Sequence, residues 1–240
     1  MKKLIVLAIL VSLGLQAQAQ IVSSRSSMVS VSRDKVSRNY HGWSTIGVEY
    51  LPTTIKNKYV SESLTGLALN FTNAISVTQS APLFVEWGIG GQYTFKNGAE
   101  PLFYGYDDVD IDCSYKVVSV KAPINIIYEI EIPNSTVKLD PFVGVKFRYN
   151  VWGQAKMKYQ YKDYGYGAWS TTYEESKSYD LFKSNEGGCN RFQVGMQVGL
   201  KAKFNDIFFV GFGYGFDFSK FNDKTDAKVK EFKIMAGLVL

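Results

Sequence analysis

The chain has 240 residues, 46% of them hydrophobic and 20% charged, with two cysteines, one histidine and a net charge of +5. Lys2 and Lys3, together with Arg25, Arg33, Lys35 and Arg38 against Asp34, account for that excess, and the rest of the chain is balanced. No concentrated basic face is present, which excludes a nucleic-acid partner.

Lys2 and Lys3 precede an apolar run from Leu4 to Leu15 and the small residues Ala17 and Ala19. That is the layout of a secretory signal peptide over residues 1–19, and the run is shorter than the roughly 20 residues a spanning helix needs. Residues 20–41 are rich in serine and lack a sustained apolar face, which predicts a flexible periplasmic segment. The folded region is expected over 42–240.

From Gly42 onward, apolar residues recur at every second position, the period of a strand and not the 3.6 of a helix. Eight such runs follow: Trp43 to Leu51, Leu64 to Val77, Leu83 to Phe95, Lys116 to Glu131, Val137 to Trp152, Arg191 to Phe204, Ile207 to Phe218 and Val229 to Leu240. The sixth and seventh meet at Asn205-Asp206 and alternate most strictly. In the seventh, Phe208, Val210, Phe212, Tyr214, Phe216 and Phe218 share a face opposite Gly211, Gly213, Gly215 and Asp217. A strand this long with one wholly apolar face needs an apolar solvent on that face.

The connections alternate in length. Gln79 to Pro82, Pro133 to Thr136 and Asn205-Asp206 are tight, whereas Pro52 to Ser63, Lys96 to Asp112, Gly153 to Gly188 and Ser219 to Lys228 are long. An even strand number with short turns at one end and long loops at the other predicts an all-β fold. The expectation is an eight-stranded antiparallel up-and-down transmembrane β-barrel, short turns and chain ends in the periplasm.

The run VVSVKAPINIIYEIEI, its turn PNST, the following DPFVGVKFRYNV and the closing FKIMAGLVL resemble the small outer-membrane barrels of the outer-membrane protein A and X type, particularly the porin-family barrels of Bacteroidetes. The resemblance covers Gly42 to Leu240. It implies residence in the outer membrane of a Gram-negative bacterium, contact with membrane lipid and lipopolysaccharide, and insertion by the barrel-assembly machinery. That machinery usually reads a terminal aromatic in this family, where this chain has Leu240. The family supplies no catalytic motif to these residues.

Strand parity turns Glu49, Glu86, Glu129, Asp217 and Glu231 inward with Lys121, Lys146, Arg148, Arg191, Lys201, Lys203 and Lys233. Eight strands enclose a lumen that side chains can fill, and opposite charges must pair where water is scarce. An ion-paired plug is therefore expected, with a narrow pore or small-solute uptake protein as the alternative. A soluble secreted lipocalin-like carrier is a third reading, and the inward charges speak against its apolar pocket.

His41 falls at the periplasmic rim, remote from the outer leaflet where barrel hydrolases and acyltransferases generally place a histidine. No catalytic residue is expected, a lipid-modifying barrel enzyme being the exception considered. Asp107, Asp108, Asp110 and Asp112 cluster in one loop, but Cys113 and Ser119 stand where a calcium loop needs glycine and glutamate, so neither metal nor cofactor is expected.

The segment Gly153 to Gly188 gathers Tyr159, Tyr161, Tyr164, Tyr166 and Trp169, amphipathic aromatics suited to binding an extracellular ligand. The other reading continues strands five and six as a ribbon above the membrane, with tyrosines as strand formers. Cys113 and Cys189 share lumen parity and height in an exported protein, which predicts a disulfide, although the fifth strand separates them laterally.

Overall fold

The computed structural model describes residues 41–57, 61–78, 81–99, 110–165 and 168–240, with backbone alone at 110–111 and 159–175. The expected leader, residues 1–19, and the segment 20–40 lie outside the described residues, as do Asp107, Asp108 and Tyr166. Among the described residues there are eleven strands: β1 (Trp43–Tyr50), β2 (Thr53–Lys56), β3 (Ser61–Ser76), β4 (Leu83–Ala99), β5 (Asp110–Tyr128), β6 (Ile130–Glu131), β7 (Val137–Gly165), β8 (Ala168–Asp180), β9 (Phe192–Phe204), β10 (Phe208–Asp217) and β11 (Lys228–Val239).

Every pairing is antiparallel, and the sheet closes on itself because β1 pairs with both β3 and β11. The eleven strands make eight staves. Pro52, which has no N–H to give, divides β1 from β2, yet Leu51 N donates to Gly66 O (2.8 Å) and Phe232 N to Pro52 O (2.9 Å), so the wall stays shut. The short strand β6 extends β5 along β7. Strands β8 and β9 both pair with β7, at Gln154 to Gly165 and at Val137 to Tyr149, and are the upper and lower parts of one stave.

The turns explain the order of staves. Asn205 (φ 54°) and Asp206 (φ 52°) both have positive φ, the two-residue arrangement whose twist matches a hairpin, and Ile207 N closes it on Phe204 O (3.0 Å).

Above the membrane, less chain is loop than the alternation suggests. β2 occupies part of the predicted Pro52 to Ser63 connection, β4 runs on to Ala99, and β7 and β8 fill most of Gly153 to Gly188. In β7 the cause is a bulge. Val118 lies opposite Trp152 and Ser119 opposite Asn150, which leaves Val151 without a partner. Val151 and Trp152 both face outward, and the inward set then resumes on the other parity at Gly153, Ala155 and Met157. One extra residue thus makes a continuous strand read as a strand that stops.

The polarity of the wall is inverted relative to a water-soluble barrel. Ile89 (58% exposed), Val198 (51%) and Phe212 (54%) face outward, while Glu86 and Glu231 (1% each) face the lumen. This is the wall of a transmembrane barrel.

Candidate functional site

The lumen is filled in three layers. Nearest the short turns lies an apolar layer of Ala74, Phe84, Ile127, Phe142, Phe209 and Met235, with Trp43 and Val239 against it. Trp43 meets Phe84 edge on at 4.4 Å, and Lys203 Nζ sits 3.3 Å over the Trp43 ring. Lys203 also pairs with Glu129 and with Asp140 (3.2 Å), and Lys138 with Asp206 (2.8 Å), around an open vestibule of about 430 Å³ that includes His41. His41 is therefore at the mouth nearest the short turns.

The middle layer is charged. Arg148 on β7 bonds Glu231 on β11 and Asp217 on β10, and its Nε donates to Gln193 Oε1 at 2.8 Å. Lys146, two positions below on the same face, bonds Glu231 and lies 3.1 Å from Asp217, so two cations share two carboxylates.

A second set runs across the barrel. Lys201 Nζ donates to Glu86 Oε2 (2.5 Å), which also accepts from Thr72 Oγ1 (2.9 Å), while Asn125 Nδ2 donates to Glu86 Oε1 (2.8 Å). Gln197 Nε2 donates to Asn125 Oδ1 (2.6 Å), and Lys233 Nζ to Gln197 Oε1 (2.5 Å). Lys121 pairs with Glu49. Glycines make this density possible: a Cβ on Gly195 would lie 2.6 Å from Asp217 Oδ1, and one on Gly144 would lie 2.3 Å from Asn125 Oδ1.

The upper layer is apolar again. Ile55, Leu64, Cys113, Tyr115, Val117, Met157 and Val229 point in from the staves, and Leu181, Cys189, Phe221 and Ala227 drop in from two turns. In the first turn, Asp180 Oδ1 accepts from Phe182 N (2.9 Å) and Asp180 O accepts from Gly187 N (3.1 Å). In the second, Asn222 Oδ1 accepts from Lys224 N and Thr225 N (2.9 and 3.1 Å). Asn222 Nδ2 then donates to Gly187 O (2.9 Å) and ties the two turns together as one cap.

Of the lumen charges read from parity, Glu49, Glu86, Lys121, Glu129, Lys146, Arg148, Lys201 and Asp217 are all in these pairs. Arg191 is not. Its Nη1 donates to the carbonyls of Asn150 and Val151 (3.2 and 2.7 Å), and its guanidinium lies 5.0 Å from the Phe182 ring centre. It stands at the junction of β8 and β9, where the chain leaves the stave for the cap, so parity counted from β9 does not place it in the lumen.

Asp140 and the amides Asn125, Gln92, Gln193 and Gln197 are lumen residues that a search for charge alone passes over. Their signal is an inward position next to an inward charge. Asn125 and Gln197 in series link Glu86 on β4 to Lys233 on β11.

Cys113 and Cys189 share the upper apolar layer, but both are free thiols, so the expected bond is not formed. Cys189 Sγ lies 3.8 Å from Gly187 O as donor and 3.7 Å from Asn222 Nδ2 as acceptor. Burial pushes the Cys189 thiol up to about 12, and Cys113 is raised for the same reason. Tyr159, Tyr161 and Tyr164 lie on β7 and Trp169 on β8, in the paired ribbon. The ribbon reading holds for their backbone, while their side chains and Tyr166 are outside the described residues.

No protein-family model matches the sequence, and no curated protein matches it significantly. Among solved structures the chain is similar to Ail, the attachment invasion locus protein of Yersinia pestis, in complex with the heparin analogue sucrose octasulfate. The two share 20% identity over 84% of this chain and 100% of that one, with a TM-score of 0.42. It is also similar to Neisserial surface protein A (11% identity, 81% of this chain and 96% of that one, TM-score 0.42) and to the outer membrane enzyme PagL (10%, 80% and 97%, 0.41). The closed ladder and the inverted wall of this chain stand independently of those likenesses.

Proposed function

We propose that this transmembrane barrel is an integral protein of the outer membrane of a Gram-negative bacterium, with a lumen filled for stability and a β-ribbon displayed to the outside. The observation that carries the reading is the inverted wall: an apolar exterior around an ion-paired interior is stable only where hydrocarbon covers it. Residues 1–19 then serve as an export leader that is removed, and 20–41 remain in the periplasm. Membrane lipid, lipopolysaccharide and the barrel-assembly machinery are the partners that go with this location. A charged layer held between two apolar ones favours a closed lumen over a pore and over the apolar pocket of a lipocalin.

The surface role belongs to the ribbon of β7 and β8. Stacking-capable, amphipathic residues on a rigid projecting element offer contact area at low entropy cost. Tyr159, Tyr161, Tyr164, Tyr166 and Trp169 are the residues assigned to contact an extracellular ligand.

The test is binding of cells that display the whole protein to a panel of glycans and matrix proteins. Its control is a variant in which Gln160 and Glu174, which are partners in the ribbon, are joined by an Asn-Gly turn. Binding by the full protein that the shortened one loses supports the reading. Equal binding by both removes the ribbon as the recognition surface.

A further inference from the structure

We infer that the lumen holds a small monovalent anion, of the size of a halide, between Lys233 and Asn70. A cavity of about 40 Å³ lies where the charged layer meets the lower apolar layer, and Lys121, Lys146, Lys201, Lys233 and Asn70 line it with Glu49 and Glu86. The charges on its wall do not balance. Lys121 is matched by Glu49 and Lys201 by Glu86, while Lys146 and Arg148 together share Glu231 and Asp217. Lys233 is left over: at 4% exposure its Nζ donates to the neutral Gln197 Oε1, and among the described residues it has no carboxylate in ion-pair reach. An ammonium taken out of water without a counter-charge is costly, and removing one partner of a buried pair shows how costly.

Asn70 supplies the second, independent sign. It is 8% exposed, lines the same cavity, and neither its Nδ2 nor its Oδ1 has a hydrogen-bond partner. Buried amides are nearly always satisfied, so an orphaned pair facing a cavity marks a missing occupant. Water alone would satisfy Asn70 but would leave Lys233 uncompensated. A cation would face four lysines. A bulky polyatomic anion is too large, since one water takes about 10–15 Å³ of such space and the cavity admits about three or four. A halide accepting from Lys233 Nζ and Asn70 Nδ2, with one water on Asn70 Oδ1, fills the space and gives Lys233 a counter-charge within contact.

The mature chain refolded into detergent in sodium bromide, crystallised and measured at the bromine absorption edge tests the assignment. The expected result is an anomalous peak in the lumen in contact with both nitrogens, and a lumen with no peak overturns it. In solution, the unfolding midpoint of the wild-type barrel is expected to be higher in bromide than in a bulky organic anion at equal ionic strength. That difference is expected to vanish in Lys233→Met.

Because the Lys233 variant alters the lumen charge, Asn70→Leu provides a second reading with every charge kept. Loss of one hydrogen bond to an ion predicts bromide affinity weakened about tenfold or more. A bromide effect of equal size in the wild type and in both variants would mean a general salt effect and no site.

Discussion

Glu231 accepts from both Lys146 and Arg148 at 1% exposure, so its removal leaves two buried cations with Asp217 as their one shared carboxylate. Glu231→Gln is expected to cost about 3–5 kcal/mol in reversible urea unfolding from lipid vesicles, the range for breaking a buried pair. Glu186→Gln, in the exposed pair with Lys183, is expected to leave the midpoint where it was. On the outer wall, Val198 stands at the middle of β9 and is half exposed, and Val198→Arg should cost about 2–4 kcal/mol if that level is the bilayer midplane. An unchanged midpoint there would contradict a lipid-facing wall.

The cysteines give a pH-dependent outcome. Burial keeps the Cys189 thiol protonated to about pH 12 against an ordinary value near 9. Its contribution is therefore complete below the ordinary value and is lost as pH rises from there through about 12, because only the unfolded thiol ionises in that window. Cys189→Ala should flatten that part of the stability profile. Two thiols per chain are expected to react with a maleimide after denaturation without reductant, and none at neutral pH while the barrel is folded. Absence of label in the denatured protein would mean that the pair is bonded.

At the scale of the element, the ribbon is separable from the barrel. Below the bulge at Val151, β7 pairs with β9 from Val137 to Tyr149, and none of those bonds involves β8. Joining Gln160 to Glu174 through Asn-Gly should leave the barrel's unfolding midpoint unchanged within error, and a clear loss would show that the ribbon braces the wall.

The same division separates what was legible in the sequence from what was not. Within the lipid band, hydrocarbon on one face and a packed polar lumen on the other force strict alternation, so all eight staves and the parity of Glu86, Lys121 and Arg148 could be read directly. Above it both faces of a strand can be polar and the period fades, which left β8 and the upper part of β7 as one of two readings, a ribbon beside a recognition loop. The bulge then reversed the parity where the signal was already weak. Leu181 and Phe221 were invisible as cap residues because a lone apolar residue in a turn has no periodicity to reveal its direction. The lumen network itself was partly legible. Charges announced themselves at inward positions, but Asn70 and Gln197 look like any polar residue until their neighbours across the lumen are known.

For the whole molecule, a charged layer between two apolar ones should admit no steady ion flow. Purified protein in planar bilayers is expected to give no stable conductance, and a reproducible open level would favour the pore reading. Protease added to intact cells should cut near Lys162 or Lys177 and spare the staves, whereas cutting only after the outer membrane is opened would invert the topology.

The pairing of β1 with β11, Thr45 opposite Val239, also has a consequence in time. The first stave finds its second neighbour only in the last, so the sheet keeps two raw edges until nearly the whole chain has been delivered. Loop closure over that span is slow compared with the neighbouring hairpins, and unpaired edges invite aggregation while it lasts. Anything that shields both edges until the last stave arrives favours closure over aggregation. The seam of β1 and β11 is the place where a slowed or misdirected barrel would first join to another copy.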